Sequence, residues 1–382
     1  MQLPQGNSCT GCGACVDACS KNALQLKQDS CGFQHPAVNS FLCSDCKRCE
    51  QVCPLIKSPE KSKVQKVFAV RAIDEIIESK SSSGGAFSVL AEYVLGLNGV
   101  VYGAGFNENY EVCHKRIDRP ENLKDIRGSK YVQSDFLAGA KEALADLKNG
   151  RTVLFCGTPC QIAALKNMSR TLNNPKLFTV DFICHGVASP LLFEKYRCFV
   201  SEGKKITAVS FRDKTEGWHM YSMKITFDDG TAYRKRAIYD PYMTAYAQNI
   251  SIRSSCNNCK FTGVDRVSDI TMGDAWTQEF NNAKLKDGKG VSLLLVNTEK
   301  GRRLFDAVNN SLICEELSND VLYTIRPLNT PTKVNPLKNR YYYDMHKLRF
   351  DRLTKKYCGS SVIAKTRRLV YKKIFRWRQS FE

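Results

Sequence analysis

The stretches CTGCGACVDACS at residues 9–20 and CSDCKRCEQVCP at residues 43–54 decide the fold of the first part of this chain. Each stretch has three cysteines separated by two residues, and a fourth cysteine four positions further on. A tight loop of this kind brings three soft thiolates to one small object, and the fourth thiolate comes from the other run. The spacing therefore predicts two 4Fe-4S clusters held by two neighbouring loops.

The two runs are predicted to exchange their fourth cysteines. The first cluster is assigned to Cys9, Cys12, Cys15 and Cys53, and the second cluster to Cys43, Cys46, Cys49 and Cys19. The duplicated motif resembles that of bacterial ferredoxins, although Ser20 stands where a proline is usual after the first run. The alternative is a pair of structural zinc sites, which usually take two C-x-x-C pairs instead of three cysteines and a distal one. We therefore predict an α+β ferredoxin-like module over residues 1–59.

Composition narrows the class of protein. The chain has 382 residues, of which 18 are cysteines, and no run of eighteen apolar residues. Because the N-terminus also lacks the features of a secretory signal, we expect a cytoplasmic protein in which cysteines bind metal and do not form disulfides. No G-x-G-x-x-G, Ser-His-Asp or paired-carboxylate motif is present, so neither a Rossmann nicotinamide site nor a hydrolase is predicted.

After a polar linker the hydrophobic pattern changes to strands alternating with helices. Strands are predicted at residues 67–70 and 100–106, with a helix at residues 83–95 between them. Alternation of this kind predicts a mixed α/β domain. We divide it into an N-terminal part, residues 60–190, and a more β-rich C-terminal part, residues 191–335, followed by a basic helical tail at residues 336–382.

The basic tail carries more than half of the net charge of +19, since residues 338–382 contain fourteen Lys or Arg and three Asp or Glu. Such local concentration does not indicate a nucleic-acid-binding protein, and no specific nucleic acid is expected as a partner. Residues 361–377 place Ile363, Val370, Ile374 and Trp377 on one helical face. Peripheral contact with an anionic membrane, docking to an acidic partner and a solvated terminal helix all suit this pattern.

A second group of cysteines follows the predicted strands of the α/β domain. Strand ends gather at one edge of such a sheet, and a cysteine at a helix N-terminus, as Cys160 is, favours the thiolate. A third 4Fe-4S cluster is therefore assigned to Cys160, Cys184, Cys256 and Cys259. Inert buried cysteines, a zinc knuckle at Cys256 and Cys259, and a Cys156–Cys160 redox pair remain as alternatives.

The order of short motifs resembles a known family. Behind the cysteine runs come SSGG at residues 82–85, RGSKYVQS at 127–134, GTPCQ at 157–161, CHG at 184–186, CNNC at 256–259 and DITMGD at 269–274. Over residues 5 to 330 this order is similar to the coenzyme F-420 hydrogenase/dehydrogenase beta-subunit family, which includes a plant chlorophyll reductase. The resemblance implies FAD in the α/β domain with an additional 4Fe-4S cluster near it, and it favours Cys160 over Cys156 as a ligand.

The implied FAD site is assigned to these motif loops. The predicted cofactor-binding residues are Ser83, Gly84, Gly85, Ser129, Lys130, Tyr131, Gln133, Gly157, Thr158 and Gln161. Glycines that open a helix let backbone N–H groups approach a pyrophosphate, and a lysine can stabilise negative charge on a reduced flavin. Lys130 and His185 are the predicted catalytic residues. The alternatives are a plain helix cap at residues 83–85, a solvated Lys130 and a structural, hydrogen-bonded His185.

The predicted function is a flavin-dependent iron–sulfur oxidoreductase that passes electrons between FAD and 4Fe-4S clusters. Ferredoxin or another redox protein is the expected partner, and an unknown small molecule is the expected substrate. The resemblance does not establish use of coenzyme F-420, and because some members resemble proteins encoded among polysaccharide-synthesis genes, a role in polysaccharide biosynthesis is a further expectation. The alternatives are a non-catalytic electron-carrier subunit of a larger redox complex and a zinc-stabilised binding protein without redox chemistry.

Overall fold

The structure, a computed structural model, describes residues 2–172, 174–276 and 278–359. Its strands are β1 (Leu24–Gln28), β2 (Gln34–Val38), β3 (Lys66–Ala72), β4 (Val100–Phe106), β5 (Val112–Ile117), β6 (Val153–Cys156), β7 (Leu177–Phe182), β8 (Ile206–Asp213), β9 (Ser222–Phe227), β10 (Ala232–Arg236), β11 (Ile270–Asp274), β12 (Ser292–Val296) and β13 (Leu312–Leu317). Its α-helices are α1 (Ala14–Asp17), α2 (Arg48–Val52), α3 (Glu75–Ser79), α4 (Ala86–Gly96), α5 (Leu137–Lys148), α6 (Pro159–Met168), α7 (Pro190–Ser201), α8 (Pro241–Ala247), α9 (Glu299–Val308), α10 (Val321–Thr324), α11 (Arg326–Asn329), α12 (Lys338–Met345) and α13 (Phe350–Tyr357).

The N-terminal module combines an antiparallel hairpin with two short helices. Strands β1 and β2 pair from Leu24 opposite Val38 onward, and α1 and α2 follow the two cysteine loops. The residues that precede these helices, Gly13 and Lys47, both have left-handed backbone conformations, with φ of 75° and 58°. Because each directly follows the second cysteine of its run, the duplicated motif folds twice into the same turn. The predicted α+β ferredoxin-like module is confirmed.

An eight-stranded mixed sheet forms the centre of the rest of the chain. The strand order is β13-β3-β12-β11-β7-β6-β4-β5, in which β4, β6, β7 and β11 run parallel. Helices α4 and α9 cover one face and α5 and α6 cover the other. Central strands are therefore buried on both sides, which explains why β12 reads as the continuous apolar run SLLLV. The predicted mixed α/β architecture is confirmed.

The two parts predicted at residues 60–190 and 191–335 contribute to the same sheet. Strand β11 from the second part pairs with β7 from the first, with Ile270 opposite Val180. Strand β13 likewise pairs with β3, in antiparallel orientation. Only β8, β9 and β10 stand apart among the described strands of the second part, as a three-stranded antiparallel sheet. The boundary near residue 190 therefore does not separate two hydrophobic cores.

The first half of the predicted basic tail is packed into the protein. Helices α12 and α13 lie against α7 and α8, and Tyr341, Met345 and Leu353 are buried there. The Tyr357 hydroxyl donates a hydrogen bond of 2.6 Å to Asp344. The helical face predicted at residues 361–377 lies outside the described residues. Within the described ranges, every helix is too short or too polar to span a bilayer.

Candidate iron–sulfur relay and cofactor cavity

Four cysteines of the N-terminal module form one electrostatic group. Burial, together with the neighbouring Cys9 and Cys53, raises the pKa of Cys12 to about 11. Burial, followed by Cys12, Cys9 and Cys53, also raises the pKa of Cys15. Thiols that oppose the ionisation of their neighbours need a cationic partner to become thiolates together. The structure thus brings together the four residues predicted for the first cluster, and their donor set fits a 4Fe-4S cubane.

The four cysteines predicted for the second cluster lie around one shallow pocket at the surface. This pocket is lined by Cys19, Cys43, Cys46 and Cys49, together with their neighbours in the chain. Cys46 is exposed, and a hydrogen bond from the backbone N–H of Arg48 lowers its pKa. Cys49 also raises the pKa of Cys15, so the two cysteine sets are neighbours. The second set is therefore the one that faces solvent.

A third set of four cysteines meets at the carboxyl edge of the large sheet. Burial raises the pKa of Cys184, and Cys256, Cys160 and Cys259 raise it further. The pKa of Cys160 is raised by burial, by Cys259 and Cys256, and also by Cys12 of the first set. The residues predicted for a third cluster are thus brought together, although they come from three separate loops. The electrostatic effect of Cys12 on Cys160 places this set near the N-terminal module.

Gly186 explains how two of these loops approach each other. Its φ is 128°, and a Cβ added there would lie 2.7 Å from Ile252 Cγ2 and 3.2 Å from Cys256 Cβ. The Tyr246 hydroxyl donates a hydrogen bond of 3.0 Å to the Gly186 carbonyl. Only glycine permits both this backbone conformation and this proximity. The glycine of the CHG motif therefore allows the loops that carry Cys184 and Cys256 to pack together.

Cys156 belongs to a different environment from Cys160. Burial and the neighbouring Asp181 raise the pKa of Cys156 to about 12, and Lys130 opposes this effect. The ionisable groups that raise the pKa of Cys160 are instead Cys259, Cys256 and Cys12. Within the described residues no group of three or more His, Cys, Asp or Glu side chains is arranged to hold a single metal ion. A zinc ion needs its thiolates at about 2.3 Å from one point, whereas the thiolates of a cubane bind four separate iron atoms.

Arg253 lies between the first and third cysteine sets. Its side chain donates hydrogen bonds to the backbone oxygens of Cys9 and Gln34 and to Gln133 Oε1, each 2.9 Å long. Only 2% of Arg253 is exposed, and none of these three acceptors is charged. Burial lowers the pKa of Arg253, and nearby Cys9, Cys256, Asp29 and Cys160 oppose the change. A buried cation needs negative charge close by, and anionic clusters on either side would add to the charge that Asp29 supplies.

A cavity of about 910 Å³ opens beside the third set. Its floor is formed by the carboxyl ends of the parallel strands: Gly103 of β4, Gly157 after β6, Ile183 after β7 and Gly273 of β11. This is where ligands bind in open α/β sheets, and the volume is large enough for a sizeable cofactor. Cys184 lines the same cavity. The cavity and the third cysteine set therefore share a wall.

Most of the predicted FAD-binding residues line this cavity. They are Ser83, Gly85, Ser129, Lys130, Tyr131, Gly157, Thr158 and Gln161. Gly84 is placed behind the lining, because a Cβ there would fall onto the Val70 carbonyl oxygen and within 2.8 Å of the Ser292 nitrogen. Gln133 faces the N-terminal module, where its side-chain amide donates a hydrogen bond of 3.0 Å to the Thr10 carbonyl. Gly84 therefore supports the cavity wall, and Gln133 supports the contact between the N-terminal module and the α/β domain.

The two predicted catalytic residues both line the cavity. Burial lowers the pKa of Lys130 to about 7, while its Nζ donates a hydrogen bond of 2.7 Å to the Arg127 carbonyl. Lys130 is therefore able to gain or lose a proton near neutral pH. His185 Nε2 lies 2.7 Å from Asn249 Oδ1, and burial lowers the pKa of this histidine. Its ring is thus held by a hydrogen bond in a fixed orientation.

Several further residues of the cavity carry no signal in the sequence. Burial lowers the pKa of His114 to about 4, so its ring is neutral, with Nε2 3.1 Å from the Cys156 carbonyl. Arg212 and Trp276 lie far apart in the chain but meet at the cavity wall. In the sequence, His114, Arg212 and Trp276 each lie in an ordinary strand or loop, and only folding brings them together at the cavity.

Comparison with known proteins agrees with this architecture. Residues 150–320 match the C-terminal domain of the beta subunit of coenzyme F420 hydrogenase/dehydrogenase, and residues 8–55 match a 4Fe-4S dicluster domain. One of the subunits of F(420)H(2) dehydrogenase from Methanosarcina mazei is 22% identical over 331 residues, which are 81% of this chain and 85% of the relative. An uncharacterized protein of Methanocaldococcus jannaschii is 25% identical over 350 residues, 80% of this chain and 88% of the relative. A chain of the F420-reducing [NiFe] hydrogenase complex from Methanosarcina barkeri has 17% identity and a TM-score of 0.48, with coverage of 85% of this chain and 96% of that one.

Fold and cysteine sets define an iron–sulfur electron-transfer protein, which binds 4Fe-4S clusters in its N-terminal module. The family predicted from the order of motifs is confirmed. A region that matches a dicluster domain is followed by one that matches the C-terminal domain of coenzyme F420 hydrogenase/dehydrogenase beta subunits, so the chain is related to these oxidoreductase subunits.

Proposed function

We propose that this chain binds FAD in its large cavity and passes electrons between the flavin and a row of three 4Fe-4S clusters. The observation that carries the proposal is the continuity of the cysteine sets. Cys184 lines the cavity, Cys160 neighbours Cys12, and Cys15 neighbours Cys49. Cys46 of the last set is exposed. An electron leaving the cavity therefore has a redox site at each stage of its way to the surface.

The cavity residues have distinct parts in this scheme. A bound flavin supplies the exchange between two-electron and one-electron chemistry. Ser83 and Gly85 lie at the start of α4, where free backbone N–H groups favour a phosphate. Lys130 holds or releases a proton at Nζ beside the ligand, because its pKa lies near 7. His185, fixed by Asn249, presents its ring next to the wall that Cys184 forms.

A second candidate is an electron-carrier subunit whose substrate site lies on a partner protein. Its support is the relative from Methanosarcina mazei, which is named as one of the subunits of F(420)H(2) dehydrogenase. In this case the redox partner docks at the exposed second set, and the cavity serves only to hold the flavin. Coenzyme F420 as substrate and a role in polysaccharide biosynthesis both stay predictions of the family resemblance.

The test starts with the full chain purified without oxygen and analysed for flavin and iron. We expect about one FAD per chain, retained or regained on addition of FAD. Photoreduction of the flavin should then produce the electron paramagnetic resonance signals of reduced clusters. Replacing Cys184 with serine should slow this transfer strongly, while dithionite still reduces the clusters of the N-terminal module.

Cys314→Ser is the matched control, because Cys314 lies on β13 outside the three sets. It should transfer electrons like the wild type. A chain that neither retains nor rebinds FAD would contradict the flavin part of the proposal and favour the carrier. Equal transfer in Cys184→Ser would contradict the route through the third set. Bleaching of the flavin by a small molecule, without a partner protein, would identify a substrate site in this chain.

A further inference from the structure

The surface pocket of the second cysteine set is bordered by cations. Lys21, Lys47 and Arg48 line this pocket, and Asp45 is the one carboxylate among its lining residues. All four side chains are exposed. Asp45 lies near Lys47, whereas Lys21 and Arg48 form no ion pair with any residue in the described ranges. Two uncompensated positive charges therefore lie beside the cysteines of the second set.

The other carboxylates of the N-terminal module do not neutralise these cations. Each of the three has a different partner: Asp17 with Lys141 at 3.4 Å, Asp29 with His35 at 3.0 Å, and Glu50 with the backbone N–H of Gln2 at 2.8 Å. None of these three carboxylates lines the pocket. The positive charge at the second set is therefore available to a partner molecule.

An exposed apolar turn lies at the rim of the same pocket. Phe41 is 98% exposed, and Leu42 beside it is exposed as well. The turn is tied to the pocket at both ends, because the Asn39 N–H donates a hydrogen bond of 2.8 Å to the carbonyl of Ala23 in the pocket wall, and Leu42 directly precedes Cys43. Aromatic residues and arginine are enriched in protein–protein interfaces. This surface therefore has the composition of a docking site for another protein.

We propose that the surface formed by Lys21, Phe41, Leu42, Lys47 and Arg48 docks an acidic one-electron carrier protein. The partner deepens the proposed function and rests on it for the electron route to the second cluster. One electron passes between this 4Fe-4S cluster and the redox centre of the carrier, so that one centre is oxidised as the other is reduced, and no proton or other group is transferred. The cations attract the carrier, and Phe41 becomes buried in the complex.

Charge and location favour such a carrier over two other occupants. A second copy of this chain carries the same cations and a net charge of +19, so the two copies repel each other at this surface. An anionic membrane would attract the cations, but lipid headgroups neither donate nor accept electrons. A docking surface directly over a redox centre is best explained by a partner that exchanges electrons with it.

The test uses rubredoxin, a small acidic protein with one iron bound by four cysteines, and cytochrome c, a basic haem protein. The full chain with assembled clusters is reduced with equimolar dithionite and mixed without oxygen with an excess of either oxidised carrier. The visible absorbance of the carrier then reports its reduction, and no flavin is needed. We expect the rate constant with rubredoxin to fall at least about tenfold from low to high ionic strength, because salt screens the attraction. The rate constant with cytochrome c should not fall.

Charge reversal at the pocket separates this surface from the net charge of the whole chain. Lys21→Glu with Arg48→Glu should lower the rubredoxin rate constant about tenfold at low ionic strength and change it little at high ionic strength. Lys47 is left unchanged, because its φ of 58° belongs to the turn of the cysteine run. Lys27→Glu with Lys57→Glu is the matched control, since both lysines are exposed in the same module, do not line the pocket and change the net charge equally. It should react much more nearly like the wild type.

Phe41→Ala tests the apolar part of the surface without changing any charge. It should raise the rubredoxin concentration at half-maximal rate about tenfold, at low and high ionic strength alike, because it removes apolar contact from the complex. Iron content and the electron paramagnetic resonance spectrum show whether each variant has kept its clusters. This variant also decides the question if charge reversal disturbs cluster assembly.

Wild-type rubredoxin kinetics in Lys21→Glu/Arg48→Glu and in Phe41→Ala, with all clusters intact, would overturn the docking surface and leave the proposed function untouched. Unchanged rubredoxin kinetics together with lost binding to phosphatidylglycerol vesicles would assign the surface to a membrane and likewise overturn the proposal. Slower rubredoxin reduction by these variants, in a chain that neither retains nor rebinds FAD, would refute the flavin part of the proposed function and leave the docking surface intact.

Discussion

Replacing Arg253 with methionine is expected to lower the reduction potentials of the first cluster and of the third cluster that we propose. Arg253 is buried, and its guanidinium donates hydrogen bonds to uncharged acceptors, including the carbonyl of Cys9. Its charge is also felt by Cys256 and Cys160 of the third set. A positive charge at this place favours the reduced form of each neighbouring cluster, because reduction adds negative charge. Removing the charge removes this preference.

The size of the effect follows from Coulomb's law. For a separation of about 7 Å and an effective dielectric constant of about 20, the interaction is about 2 kcal/mol. That energy corresponds to about 100 mV for a one-electron centre. Arg253→Lys keeps the charge but loses hydrogen bonds to the Cys9 and Gln34 carbonyls. We therefore expect it to recover most of the potential while weakening the contact between the module and the α/β domain.

The assay is a redox titration of the anaerobically purified protein, followed by electron paramagnetic resonance. The second cluster is an internal reference, because Arg253 makes no contact with Cys19, Cys43, Cys46 or Cys49 among the described interactions. Its potential should stay within experimental error. If Arg253→Met folds, assembles its clusters and shows wild-type potentials for all of them, then the placement of this cation between two anionic centres has no electrostatic consequence and our reasoning fails.

Three more changes test other parts of the structure. Burial holds the pKa of Lys130 near 7, below its value in the unfolded chain. Between about pH 7 and pH 10 the unfolded chain therefore binds one more proton than the folded chain, and the stability of the fold rises with pH. Flavin-free Lys130→Met should show a flatter pH dependence of thermal unfolding. Gly84→Ala should destabilise the chain by about 1–3 kcal/mol in urea unfolding, because its Cβ has no room, whereas Gly96→Ala, with nothing within 4 Å, should be near neutral. Arg266→Met should cost about 3–5 kcal/mol in the same assay, because it leaves buried Asp181 without its partner at 3.0 Å.

The cysteine sets could be predicted because two different local rules apply to them. In the N-terminal runs the spacing itself fixes three ligands of each set, so Cys9, Cys12 and Cys15 must meet wherever the loop closes. Cys160 and Cys184 follow parallel strands, whose carboxyl ends share one edge of the sheet. The continuous apolar run of β12 is likewise typical of a strand covered on both faces. Each prediction needed only a few neighbouring residues.

The residues that the sequence could not reveal act over long separations. Arg253 contacts a carbonyl 244 positions earlier in the chain, and no pattern around it distinguishes it from a surface arginine. Arg212 is held at the cavity wall by Asp274 and Trp276, which another strand and loop supply. Gln133 was assigned to the flavin from its motif, but its side chain reaches the N-terminal module. Side-chain direction decides these cases, and it depends on packing.

The first half of the predicted tail shows the same limit. The local charge predicts a basic helical tail from residue 336 onward but not its packing, and α12 and α13 bury Tyr341 and Leu353 against α7 and α8. Arg340, Arg352 and Lys355 are exposed, whereas Lys338 and Asp344 are buried with the apolar residues, so a basic composition and a buried apolar stripe coexist. A count of charges does not separate these two situations.

Iron and acid-labile sulfide per chain, measured in anaerobically assembled protein, test the central claim most directly. Three cysteine sets that each hold a 4Fe-4S cluster predict about twelve irons and twelve sulfides, and about eight of each in a Cys184→Ser variant. A wild-type value of about eight, unchanged by that substitution, would contradict the relay that we propose between the cavity and the N-terminal module.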